Sequence, residues 1–176
     1  MARLARVPYI GLPLLMAAAL AAAPARLPAQ TQAPAGPQEA GVVGLFLDSA
    51  SLQPTVVLQG KRDRRRFGMA IGAAEATGIV YPLENRVPPR PLTHDLFLTL
   101  FGRLKVTVTR VVITDLKDGI YYATVFLDAG GKEMQLDARP SDAIALAIRA
   151  KAPVLVEDRV FDKSELLPGP SSAPRI

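Results

Sequence analysis

The chain has no cysteine, no tryptophan and a single histidine. Without thiols there is no cysteine nucleophile, thiolate metal site, iron–sulfur cluster or disulfide framework. One histidine excludes the usual multi-histidine metal sites. Six phenylalanines and four tyrosines leave little material for a base-stacking platform. No P-loop, Gly-x-Gly-x-x-Gly fingerprint, His-Glu-x-x-His pair or nucleophile elbow occurs. No repeat at solenoid spacing is seen either.

What is present suits one domain. The 176 residues are 49% hydrophobic and 21% charged, enough to bury a core and too apolar for a disordered chain. The formal net charge is +5, from 21 Lys and Arg against 16 Asp and Glu. That sign invites nucleic acid, but placement decides what it means. Arg3 and Arg6 precede an uncharged run over 8–23, with Leu14, Leu15, Met16 and Leu20 among alanines. This pattern predicts a secretory signal peptide over 1–29, cleaved after Leu27-Pro28-Ala29. The alternative is an uncleaved anchor, but a spanning helix needs about 20 apolar residues, and Pro13 interrupts the run. The expected protein is exported, periplasmic or secreted, with no membrane span in the mature chain. Arg3, Arg6 and Arg26 would leave with the peptide, so 18 basic residues face 16 acidic ones, a net of +2.

Residues 30–40 are rich in Pro, Gln, Ala and Gly and read as a linker. The folded unit is expected over 41–167, with a frayed tail over 168–176. Two β-rich runs, 41–47 and 55–59, read as a hairpin. A basic segment follows at 61–66, then an apolar run at 67–71 and helical composition over 72–82. Three prolines make 87–91 an extended loop. Residues 93–104 form the clearest amphipathic helix, with Leu96, Phe97, Leu100, Phe101 and Leu104 on one face and Thr93 as its N-cap. Strands are expected over 105–114, 120–127 and 133–137, joined by Asp118-Gly119 and Gly130-Gly131 turns as a meander. A second helix spans 140–150, started by Pro140 and apolar on several sides. Residues 154–156 and 160–161 read as two last extended segments. The sum is an α+β fold: a single compact domain, a mainly antiparallel or mixed sheet and two or three packed helices.

Polar blocks at two helix starts are the main candidates for chemistry. One is Arg90-Pro91-Leu92-Thr93-His94-Asp95. Free N–H groups at a helix start attract anions, and histidine transfers protons at neutral pH. Capping alone also accounts for Thr93 and Asp95. The other is Asp137-Ala138-Arg139-Pro140-Ser141-Asp142. Its carboxylates are of the type that holds Mg²⁺ or Mn²⁺, and Arg139 is of the type that clamps phosphate. Capping with an Arg139–Asp ion pair accounts for it equally. Glu75 is a lone acid in an Ala- and Gly-rich helix, facing either a site or solvent. The 61–66 block offers phosphate contacts or a charged surface turn.

These blocks carry a resemblance. The run from Asp137 to Arg149 with Ala152-Pro153-Val154 resembles the signature of the bifunctional nuclease (BFN) domain family. Arg90 to Leu96 resembles its other strong block, and Arg110 to Leu116 and Ile71-Gly72 with Glu75-Ala76 match weaker ones. The blocks lie in the family's order and cover about 41–162. The resemblance implies a compact α+β unit that self-associates, and nuclease activity on RNA and DNA, reported for plant members. Two features depart from the pattern. Gly78 stands where the family more often has alanine, and is expected to loosen its helix. The export-type N-terminus contrasts with relatives inside the cell.

The expected function is therefore phosphodiester hydrolysis in RNA or DNA, assisted by a divalent metal. Catalytic candidates are His94, Asp95, Asp137 and Asp142. Arg90, Arg139 and Ser141 are candidates for holding substrate, and Asp137, Asp142 and Glu75 for holding Mg²⁺ or Mn²⁺. The competing reading is a non-catalytic binding or homo-oligomeric assembly module, with the same residues acting as caps and subunit contacts.

Overall fold

The computed structural model describes residues 36–48 and 51–168. The expected signal peptide at 1–29, residues 30–35 of the linker and residues 169–176 of the tail lie outside the described residues. A mixed seven-stranded sheet packs with four helices in an α+β arrangement.

β1 (Gln38–Leu47) and β2 (Pro54–Gly60) form the expected antiparallel hairpin, and β3 (Arg66–Ala70) extends it. The linker ends sooner than 40. Gln38 and Glu39 already pair with β7 (Val154–Val156). Gln38 is buried, and its amide donates to Asp63 across 2.8 Å. A polar residue that finds a buried partner far along the chain looks like linker from composition alone.

β4 (Val106–Lys117), β5 (Ile120–Ala129) and β6 (Glu133–Ala138) form the meander. Asp118 and Gly119 turn between β4 and β5 with φ of 49° and 77°. Two successive left-handed residues match the twist of the flanking strands, which is why Asp-Gly marks such hairpins. The sheet order is β3-β2-β1-β7-β4-β5-β6. β7 lies antiparallel to β1 and parallel to β4, and so joins the two antiparallel sets. α3 (Pro140–Ala150) carries the chain from edge strand β6 back to that central position. Ser141 and Ala143 to Ala147 are buried, consistent with a helix apolar on several sides. α3 packs on β4 and β5 as well as on two other helices, α1 (Ala73–Leu83) and α2 (Thr93–Arg103). Val56, Leu58, Phe67, Ile113, Val125, Ile144 and Phe161 belong to the resulting core.

Three local expectations are corrected. Val160 and Phe161 belong to a fourth helix, α4 (Asp158–Lys163), with Asp158 in its first turn. A two-residue apolar pair fits either period, so its neighbours decide. Leu92 occupies the N-cap position of α2, one residue before Thr93. A leucine cannot cap with its side chain. Asp95 instead reaches back and accepts the Leu92 N–H across 2.8 Å. Finally, α2 buries no residue. Leu96 and Leu104 are 65% and 62% exposed, while Leu98 and Phe101 pack against the core. The helical period was real, but most of its apolar face points away from the sheet.

The basic segment is a structural joint. Arg62 and Arg65 both donate to Asp158, and Arg65 also pairs with Asp63 and Asp162. The pairs tie the β2–β3 turn to the first turn of α4. Among the described residues, no helix is long and apolar enough to cross a membrane.

Candidate active site

Three helix starts bring the candidate residues together. Arg139 holds the N-cap position of α3, directly after β6, and Pro140 takes the first turn with its φ already set. Asp142 follows in the same turn. α2 begins beside it and supplies His94, and the first turn of α1 supplies Glu75.

Asp142 is the hub. His94 Nε2 lies 3.2 Å from its Oδ1. Arg139 Nε donates to its Oδ2 at 2.7 Å, and a second guanidinium nitrogen reaches Oδ1 at 3.2 Å. The remaining terminal nitrogen of Arg139 donates to Glu75 Oε1 at 2.7 Å. The chain Glu75–Arg139–Asp142–His94 therefore joins three helices. Burial pushes the Asp142 carboxyl up, but the hydrogen bonds from Arg139 and His94 outweigh it and hold it below the usual aspartate range. Glu75 is held low by its own backbone N–H and by Arg139. The two carboxylates raise the Arg139 pKa in turn, so it stays a cation.

His94 is 13% exposed at its side chain, and Arg139 is 64% exposed. Both line a cleft of about 480 Å³, together with Thr93, Phe97, Asp137 and Asp142. Asp137 is exposed there, with no side-chain partner among the described residues. Arg139 also lines a second cleft of about 360 Å³, which holds Glu75, Ile120, Tyr121 and Ser141. Ser141 is buried.

Two candidates stand apart. Arg90 is exposed on the loop before α2 and lines neither cleft. Asp95 points away from His94, where it accepts from Leu92 N–H and from Arg149 Nε at 2.7 Å. Burial raises the Asp95 carboxyl, but Arg149 and the Leu92 N–H more than offset this, leaving it low. Its geometry is that of a cap and brace.

In the sequence Arg149 is a cation in the last turn of α3, the sign a helix end favours. Its side chain is 8% exposed, and beyond Asp95 it donates to the Gly78 carbonyl at 2.5 Å and to Ala145 O at 3.0 Å. It latches α1, α2 and α3. No sequence signal separates such a latch from an ordinary helix-end charge. Nor does Gly78 interrupt its helix, since α1 runs through it and buries it.

A metal ion does not fit this arrangement. Among the described residues, no three of His, Asp and Glu stand where they could hold one. Glu75 and Asp142 are engaged by the Arg139 guanidinium, which fills the place between them. The expected Asp137–Asp142–Glu75 ligand set is not assembled.

The cleft can orient an imidazole against a carboxylate and offer a guanidinium at an open surface. It also carries two carboxylates, Asp137 and Asp142, against the one guanidinium of Arg139. An incoming anion must therefore draw Arg139 away from one of its carboxylates.

Comparison with known proteins bears on this geometry. The Bifunctional nuclease domain profile matches residues 56–168, which include every candidate residue. An uncharacterized protein of Mycobacterium tuberculosis is 36% identical over 129 residues, covering 73% of this chain and 77% of its own. Bifunctional nuclease 1 of Oryza sativa subsp. japonica is 35% identical over 81 residues, covering 44% of this chain and 24% of the plant protein. On this match the chain belongs to the bifunctional nuclease domain family.

Proposed function

We propose that the domain hydrolyses phosphodiester bonds in RNA or DNA at the cleft formed by His94, Asp137, Arg139 and Asp142. The observation that carries the reading is the His94–Asp142 pair beside an exposed Arg139 in one cleft. Family membership and the nuclease name of the rice relative support the reaction class.

In this reading Arg139 leaves Glu75 and turns its planar fork to the non-bridging phosphate oxygens. The exchange suits a side chain that is mostly exposed, since a solvated ion pair holds its partner weakly. Water attacks phosphorus and passes a proton to the Asp137 carboxylate. The bond from phosphorus to the leaving oxygen breaks, and that oxygen takes a proton from His94 as Nε2 swings from Asp142 toward it. Before that step Asp142 orients the ring through its contact with Nε2. Asp95 and Arg149 hold the helices in place, Ser141 supports the start of α3, and Arg90 meets the polymer outside the cleft.

The test incubates mature protein with single-stranded RNA and DNA, with Mg²⁺, with Mn²⁺ and with a chelator. Cleavage should exceed that of His94→Ala and Asp142→Ala variants. Equal background in all three proteins under every condition would sink the proposal. Chelator-resistant cleavage would separate the residue chemistry from any contribution of a divalent ion. Export, proposed from the N-terminal pattern, is checked by fractionating cells that express the full chain.

The exposed face of α2 favours a second, compatible reading as a homo-oligomer. Leu96, Phe97 and Leu100 on α2 and Leu104 just after it are exposed, a patch that apolar burial between copies would cover. Light scattering on the purified protein reads the mass directly, and a monomer at all concentrations would end this reading.

A further inference from the structure

Gly78 is buried in α1 and lies against the ring of His94, in the first turn of α2. Glycine inside a helix is less stable than alanine, so local propensity argues against it. In this chain the geometry leaves no room for an alanine without moving a neighbour. A β-carbon on residue 78 would lie 2.7 Å from His94 Cε1 and 3.0 Å from His94 Nδ1. Carbon atoms pack best at about 3.5–4.0 Å, so the ring would have to move. The obstructing atoms belong to a rigid imidazole, and Nε2, bonded directly to Cε1, lies 3.2 Å from Asp142. The helices cannot simply spread. Arg149 donates to the Gly78 carbonyl and to Asp95, the residue after His94. The latch that fixes the helix spacing therefore attaches at Gly78 itself.

We infer that Gly78 is a positioning residue: its missing side chain seats the His94 ring against Asp142. The consequence for turnover rests on the hydrolase reading above, but the seating itself does not. The experiment is a double-mutant cycle of Gly78→Ala and His94→Ala in the mature protein. In the native background, Gly78→Ala is expected to lower Tm and shift the His94 ring signals in NMR spectra. In the His94→Ala background the ring is gone, and the same substitution should raise Tm, because alanine is then only a better helix former. If Gly78→Ala alone does not fold, recovery of folding in the double variant supports the inference equally. Where cleavage is measured, kcat should fall at least tenfold with KM changed less than twofold. An equal rise in Tm in both backgrounds, with unchanged ring signals, would overturn the inference. The Tm cycle and the ring signals decide it whether or not the protein cleaves nucleic acid.

Discussion

His94 and Asp142 are 48 positions apart, and Glu75 and Arg139 are 64 apart. Their roles separate on substitution. Asp142→Asn keeps the shape but removes the charge that orients the imidazole and holds Arg139. If the hydrolase reading holds, kcat should drop about 10²–10⁴-fold, the usual range for losing one acid–base partner, and steady-state kinetics on a short oligonucleotide checks it. Arg149→Met tests the latch instead. Breaking a buried pair by removing one partner costs about 3–5 kcal/mol. Asp95 is 34% exposed and can be solvated in part, so about 2 kcal/mol is expected here. Urea unfolding measures it, and adding Asp95→Asn should return part of the loss. At this scale the residue types were legible, since carboxylates, His94 and Arg139 cluster visibly at two helix starts. Their contacts were not. Arg149 resembles any helix-end cation until α1 and α2 are seen to close over it, and Asp95 resembles a catalytic acid until Arg149 claims it.

Elements were read best where local chemistry dictates them. The Asp118-Gly119 turn needs two left-handed residues, and few other pairs supply them cheaply. Gly119→Ala places a β-carbon at φ 77°, where L-residues are strained by about 1–2 kcal/mol. Chemical denaturation should show that loss with the sheet intact. Period alone misled elsewhere. It located α2 but not its orientation, because a helix of 11 residues has apolar side chains on both flanks and tertiary packing chose Leu98 and Phe101. The unburied flank carries a prediction. If α2 joins copies of the chain, Leu100→Asp with Leu104→Asp should reduce the mass seen by light scattering and leave the monomer folded, because neither side chain is buried. β7 was legible as a short β-rich run, but not its place between β1 and β4, which follows from the path of α3.

For the whole molecule the net charge of +5 says little about any one site. The candidate cleft holds two carboxylates against one guanidinium, while Arg62 and Arg65 are committed to α4. What the shifted carboxylates share is the direction of the change. Asp115, buried on β4, accepts from Lys163 at 2.6 Å, from Leu116 N–H at 2.9 Å and from Lys117. The Lys163 hydrogen bond leads in lowering its carboxyl from 3.8 to about 2. Asp95, Asp142, Glu75 and Glu133 are lowered as well. Each binds its proton more weakly folded than unfolded, so the unfolded state takes up protons first as pH falls. Their contribution is complete above the ordinary carboxylate range and disappears as pH drops through the folded values. Stability should therefore change little from neutrality down to about pH 5 and fall steeply between about pH 4 and 2. Lys163→Met removes the leading contact to Asp115. It should lower the neutral-pH urea midpoint and flatten the acid fall, so the two proteins converge near pH 2. Parallel curves at every pH would mean that Lys163 contributes through packing of α4 alone.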